Sequence, residues 1–225
     1  YHQRCDRQYQ PDSRSHSQLR VHSKPQYDSG WVVQTTPAYP RRMLCCIGDL
    51  VEDVVVWLSA EPKRGTDTAA QIFRRRGGSA ANVAALAVQA GGQSRVVGQV
   101  GHDRLGALLV DDLDEEGVDV VAVRSGTTGS IVVLVEPDGE RTMLPDRGAA
   151  THLAETPHGA LDAVTWLHVP GYSLIVEPLG ATTRTLISTA RANRIPISID
   201  ASSTGAVEEF GIDAFKAQLP ELRPD

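Results

Sequence analysis

The 225 residues hold 41% hydrophobic side chains, a formal charge of -6 and three cysteines. This length and apolar content supply one sizeable core, and the acidic balance argues against the basic face that nucleic-acid phosphates require. Adjacent Cys45 and Cys46 with a distant Cys5 make neither a disulfide framework nor the spaced pairs of a zinc site. No apolar run approaches the roughly 20 residues that span a bilayer, and the first residues lack a signal-peptide core, so no membrane and a reducing, cytoplasmic setting are expected.

Residues 1–42 are rich in Gln, Ser, Arg, His and Pro and show no sustained period of 2 or 3.6. They are expected to be a disordered N-terminal extension, with a basic interaction tail as the functional alternative. Patterned hydrophobicity begins at Met43, the first methionine, where the folded part is expected to start. Leu44 to Ile47 reads as a short buried strand ending at Gly48-Asp49, and Val54 to Leu58 as a second, with Asp53 between them. Glu61 to Gly65 is a turn and Thr68 to Arg75 another strand.

Gly77-Gly78 then opens a helix rich in Ala, Val and Leu, whose first turn carries the polar Asn82. Paired glycines bring main-chain N–H groups close to whatever lies above them, and an amide offers hydrogen bonds in both directions. That combination suits a neutral polyhydroxylated ligand. A helix start that merely packs closely on a strand explains the same residues. The helix stops at Gly91-Gly92, and Arg95 to Gly101 is the next strand.

Asp103 is placed to cap a helix carrying Leu105, Leu108, Leu109 and Leu113 on one face and closed by Gly117, with Asp111 to Glu116 as its wet side. Val118 to Val123 and Ser130 to Val135 read as strands, Glu136 to Glu140 as a hairpin turn, Arg141 to Leu144 as the return strand and Pro145 to Ala149 as a loop. Val164 to Val169 is a buried strand, 178–192 is helical, and Ile195 to Ile199 leads to Asp200. Alternating helix and strand implies a parallel sheet covered on both faces. Gly48, Gly101, Gly171 and Asp200 fall at the carboxyl ends of its strands, where such sheets bind ligands.

These segments resemble the ribokinase-like (PfkB) carbohydrate kinase family from about Met43 to Asp225. The resemblance rests on Gly77-Gly78-Ser79-Ala80-Ala81-Asn82-Val83-Ala84, then Gly91-Gly92, then Gly101-His102-Asp103-Arg104-Leu105-Gly106. Gly48 to Asp53 and Glu140-Arg141-Thr142 with Asp146-Arg147-Gly148-Ala149 are similar to further family segments. The resemblance implies an α/β doubly wound sheet with helices on both faces and a small β-sheet lid, from about 54–75 and 118–144. It implies that Asp53 binds sugar hydroxyls, that Gly77 and Gly78 offer backbone groups and that Asn82 orients another hydroxyl. Asp200 is a candidate for the nucleotide and metal region, with capping as its alternative. A turn carboxylate is the alternative for Asp53.

The family's second signature, a Gly-Ala-Gly-Asp element that supplies an anion hole and the catalytic Asp, does not occur in these residues. A Walker-type Gly-x-x-x-x-Gly-Lys-Ser/Thr loop and a Gly-x-Gly-x-x-Gly dinucleotide turn are absent too. The expectation is therefore a C-terminally truncated sugar kinase, 43–225 holding the substrate-binding part and no catalytic residue. The intact enzyme would use ATP and Mg2+ to phosphorylate a sugar that this sequence does not name, and the 225 residues alone would be inactive. A non-catalytic sugar-binding remnant is the alternative. The resemblance also implies a homodimer made through the lid.

Overall fold

The structure, a computed structural model, describes residues 42–225, so the expected disordered extension lies, apart from Arg42, outside the described residues. In chain order the elements are β1 (Met43–Ile47), β2 (Val51–Leu58), β3 (Ala70–Gly77), α1 (Ser79–Gln89), β4 (Gln93–Val100), α2 (Arg104–Glu115), β5 (Asp119–Arg124) and β6 (Thr128–Val135). There follow β7 (Arg141–Gly148), β8 (Val164–Pro170), α3 (Tyr172–Ile175), α4 (Leu179–Ala192), β9 (Ile197–Asp200), α5 (Thr204–Phe210) and α6 (Ile212–Leu222). A five-stranded sheet has the order β5-β4-β1-β8-β9 with every neighbour parallel, and a four-stranded sheet the order β3-β2-β6-β7.

The parallel sheet is buried on both faces because its central strand is apolar on both. Cys45 and Ile47 join Val97, Leu167 and Val169 beneath Leu186 and Ile187 of α4 and Phe215 of α6. Cys46 points the other way, with Val96 and Val100, onto the alanines of α1 and Leu109 and Leu113 of α2. Four buried alanines on α1, at positions 80, 81, 84 and 85, let that helix approach the strands closely. Burial pushes the Cys45 thiol up to about 12, so it behaves as a small apolar side chain rather than a nucleophile. The α/β architecture expected from the sequence, with helices on both faces, is the one observed, and no helix of the described residues is long and apolar enough to cross a membrane.

Four expectations are corrected. Asp119–Arg124 pairs with β4 in the parallel sheet, not with the smaller one, whose second part begins at Thr128. The reason is that Val120 and Ala122 pack on one core and Val121 and Val123 on the other, the two-sided burial of a parallel strand. Pro145 to Gly148, expected as loop, continues β7; this is an edge strand, where proline's missing N–H breaks no ladder. Leu108 is 54% exposed, leaving Leu109 and Leu113 to anchor α2. Asp53 does not separate two strands but lies inside β2, opposite Arg75 on one side and Ile131 on the other.

The two sheets are tied by Asp103. Its Oδ1 caps α2 by accepting Gly106 N at 2.8 Å and takes the Thr128 hydroxyl at 2.6 Å, while Oδ2 accepts Thr128 N at 2.7 Å. Those bonds hold its carboxyl below the ordinary carboxylate value. The start of β6 is thereby fixed to the end of β4.

Candidate functional site

The site grows from a helix that cannot cap itself. α1 starts after Gly78, which has no side chain to satisfy the first amides. Asp49, 4% exposed at the exit of β1, does so from elsewhere in the chain. Its Oδ1 accepts Ser79 N at 2.8 Å and, more weakly, Ala80 N at 3.4 Å. Oδ2 accepts Arg147 Nη1 at 2.5 Å, bringing the end of β7 onto the same carboxylate. Gly78 has a φ of 100°, and a Cβ there would run into the main-chain carbonyl of Asp49, so both conformation and space require glycine.

Beside this node, Asp53 projects from β2 over Gly77, whose lack of a side chain leaves room for the carboxyl group. Burial raises its carboxyl above the ordinary value most strongly; Asp49 adds to this, and Arg147 and Arg76 offset part of it. None of those causes is a hydrogen bond, so among the described residues its two oxygens remain unspent. An acceptor-only group with free lone pairs, half-buried, is placed to take hydroxyl protons.

The guanidinium carbon of Arg147 lies over the Tyr172 ring, 4.0 Å from its centroid. Together they wall a cavity of about 570 Å3 that also touches Ile131, Pro145, Val176 and Phe210. Ile131 is the register partner of Asp53, so this space opens one strand away from the carboxylate.

The structure thus brings Asp53, Gly77 and Gly78 into one corner at the carboxyl end of β1. Asn82 reaches that corner only through another side chain: it is exposed, and its Oδ1 accepts Arg76 Nη1 at 2.9 Å. Asp49, Arg76, Arg147 and Tyr172 were not singled out from the sequence as site residues. The uncapped Gly78-Ser79 start was the one available signal that a carboxylate had to come from elsewhere.

Asp200 is not gathered with the others. At the end of edge strand β9, its Oδ1 accepts Ser202 N at 2.7 Å, Ser202 Oγ at 2.9 Å and Gly171 N at 3.4 Å, while Oδ2 faces His168 Nε2 at 3.2 Å. These are loop-closing bonds. The His168 contact first, then those to Ser202 and Gly171, hold its carboxyl at about 2 against an ordinary 3.8. A lowered carboxylate stabilises the fold above its ordinary value and loses that contribution as pH falls through its folded one. Asp200→Asn is therefore expected to lower stability above about pH 4, with the difference from the parent closing toward about pH 2, as read by urea melts across that range.

Among the described residues no group of three or more His, Cys, Asp and Glu could hold a metal ion. With the oxygens of Asp200 already engaged, the described residues do not fit a magnesium ion.

Residues 41–223 match the family described as pfkB family carbohydrate kinase. The chain is 27% identical to a ribokinase of Bacillus subtilis over 176 residues, 76% of this chain and 59% of that protein. It is 30% identical to a fructokinase of Vibrio alginolyticus over 158 residues, 68% of this chain and 48% of that one. In fold it is similar to the adenosine kinase of Sinorhizobium meliloti, with a TM-score of 0.71 over 83% of this chain and 64% of that chain, at 19% identity. The aligned region spans about half the length of the curated relatives it matches.

Proposed function

The chain belongs to the pfkB family of carbohydrate kinases, and from that premise we propose that residues 43–225 form the acceptor-binding part of an ATP-dependent sugar kinase. The observation that carries this reading is the corner where an unspent, half-buried Asp53 lies over Gly77, next to the Asp49–Arg147 pair. Asp53 accepts the protons of two sugar hydroxyls, Gly77 and Gly78 leave the backbone open to close approach, and Asn82 binds a further oxygen. The Arg147–Tyr172 stack walls the ligand from water. ATP is the phosphoryl donor that the family implies, with magnesium, but the described residues offer no fitting metal ligands and no step is drawn through either group.

The test is a thermal-shift panel of D-ribose, D-fructose, 2-keto-3-deoxygluconate and adenosine on the parent chain and on Asp53→Asn. One of these compounds is expected to raise the parent's melting temperature and not the variant's; binding at 100 times Kd corresponds to about 2.7 kcal/mol. A panel that moves neither chain, or both alike, refutes the reading.

A second reading, pairing of two copies through the four-stranded sheet with or without turnover, is favoured by one surface. Asp53, Val55 and Trp57 alternate onto one face of β2, and the register sets Phe73, Val55, Val133 and Met143 in one row across the sheet. Trp57, Phe73 and Met143 are 53%, 44% and 54% exposed, a contiguous apolar strip continuing outward from the sugar carboxylate. Sedimentation is expected to give a dimer that Phe73→Glu converts to monomer. A parent chain that sediments as a monomer at all concentrations would rule the pairing out.

A further inference from the structure

An asparagine beside a sugar is ordinarily ambivalent, since its carbonyl can accept and its amino group can donate. Here that choice is closed. Arg76 Nη1 lies 2.9 Å from Asn82 Oδ1, and a guanidinium has donors only, so the amide is oriented by the chemistry of its neighbour. The backbone N–H of Asn82 is bonded to Gly78 O at 2.9 Å within the first turn of α1, which fixes the stem of the side chain as well. Arg76 is itself anchored: its Nη2 donates to both carboxylate oxygens of Glu116 at the end of α2, at 3.1 and 3.3 Å, and its side chain is only 12% exposed. Among the described residues, Asn82 Nδ2 has no hydrogen-bond partner.

We propose that Arg76 is a positioning residue that makes Asn82 a donor-only contact, so the ligand atom facing Asn82 must accept a hydrogen bond. This rests on the reading of the corner as a hydroxyl-binding site and adds a direction to it. Asp53 takes protons and Asn82 gives them, so neighbouring ligand oxygens are read with opposite polarity. A guanidinium on the carbonyl oxygen also polarises the amide and strengthens its N–H donors. A ligand whose oxygen at that position is removed, or replaced by a group without lone pairs, forfeits this hydrogen bond and binds more weakly.

The test compares Asn82→Ala with Asn82→Asp, using whichever of the four panel compounds binds the parent. Aspartate keeps an oxygen for Arg76 but offers the ligand no donor. Both variants are expected to weaken binding by about tenfold, the loss of one hydrogen bond to the ligand. Measured well above the acidic range, where Asp53 stays ionised with or without the neighbouring guanidinium, Arg76→Met is expected to weaken binding in the parent and to add nothing in the Asn82→Ala background, because its effect there passes through that amide. Arg76→Lys, which retains a cation but not the two separate nitrogens that hold Asn82 and Glu116 at once, replaces it should the methionine variant not fold. The side-chain NH2 resonances of Asn82 should shift in the Arg76 variant, because the guanidinium that polarises the amide through Oδ1 is gone. Retained binding by Asn82→Asp, additive losses at the two positions, or an amide signal indifferent to Arg76 would each overturn the assignment while leaving the sugar site standing. A parent chain that binds none of the compounds removes the site reading and this assignment with it.

Discussion

Replacing Asp49 by alanine is expected to destabilise the fold by about 3–5 kcal/mol, the cost of leaving a buried ionic partner uncompensated. Asp49 and Arg147 are only 6% and 18% exposed as side chains, so solvent does little to screen the loss. The same substitution strips Ser79 N and Ala80 N of their acceptor at a helix start whose own cap residue is glycine. Asp49→Asn should cost less, since one amide oxygen still reaches the helix amides. Adding Arg147→Met to Asp49→Ala should recover part of the deficit, because the stranded guanidinium goes with it. Guanidinium chloride melts measure all three. A midpoint for Asp49→Ala indistinguishable from the parent's would show that the node does not organise the corner.

Asp53→Ala is expected to act in the opposite sense on stability and binding. Two hydroxyl bonds to an ionised group are worth about 1.5–3 kcal/mol each, so sugar affinity should fall by roughly two to four orders of magnitude. Stability should hold or rise near neutrality, because the folded environment raises the carboxyl of Asp53 and so disfavours its charge. The sign follows from linkage: an acid with a raised folded value contributes most below its unfolded value and loses that contribution as pH climbs through the folded one. Sugar binding, which needs the ionised form, should strengthen across that same interval. Titration calorimetry and urea melts over the acidic range should therefore show affinity rising while the parent's stability relative to Asp53→Ala falls. Affinity that ignores pH there, or a variant that binds as tightly as the parent, would remove Asp53 from the site. Gly77→Ala offers an independent check, since its methyl group would displace the carboxyl without altering charge.

Much of this corner could be anticipated from local spacing. The glycine pair, the alanine-rich helix and the Asp103 cap are each encoded within a few residues, and local signals of that kind survive folding. The strands of the parallel sheet were readable as apolar runs at turn boundaries. What the sequence did not disclose are the partnerships: Asp49 meets Arg147 across 98 positions and Arg76 meets Glu116 across 40, and nothing in either neighbourhood advertises the other. Strand membership failed for a related reason. Val118 to Val123 looks alike whether it joins a lid or a parallel sheet, and only two-sided packing decides. Asn82 was read as a two-way amide because Arg76, six residues back, was not weighed as its hydrogen-bond partner.

Adjacent sulfurs that face opposite layers give the molecule a clock of its own. Cys45 and Cys46 are both free and wholly enclosed, one beneath α4 and α6, the other beneath α1 and α2. With Cys5 changed to serine, a thiol reagent added under native conditions can reach either atom only when its own layer parts from the sheet. Peptide mapping of the first modified position would report which side of the central strand comes away sooner, without a dye or an engineered label.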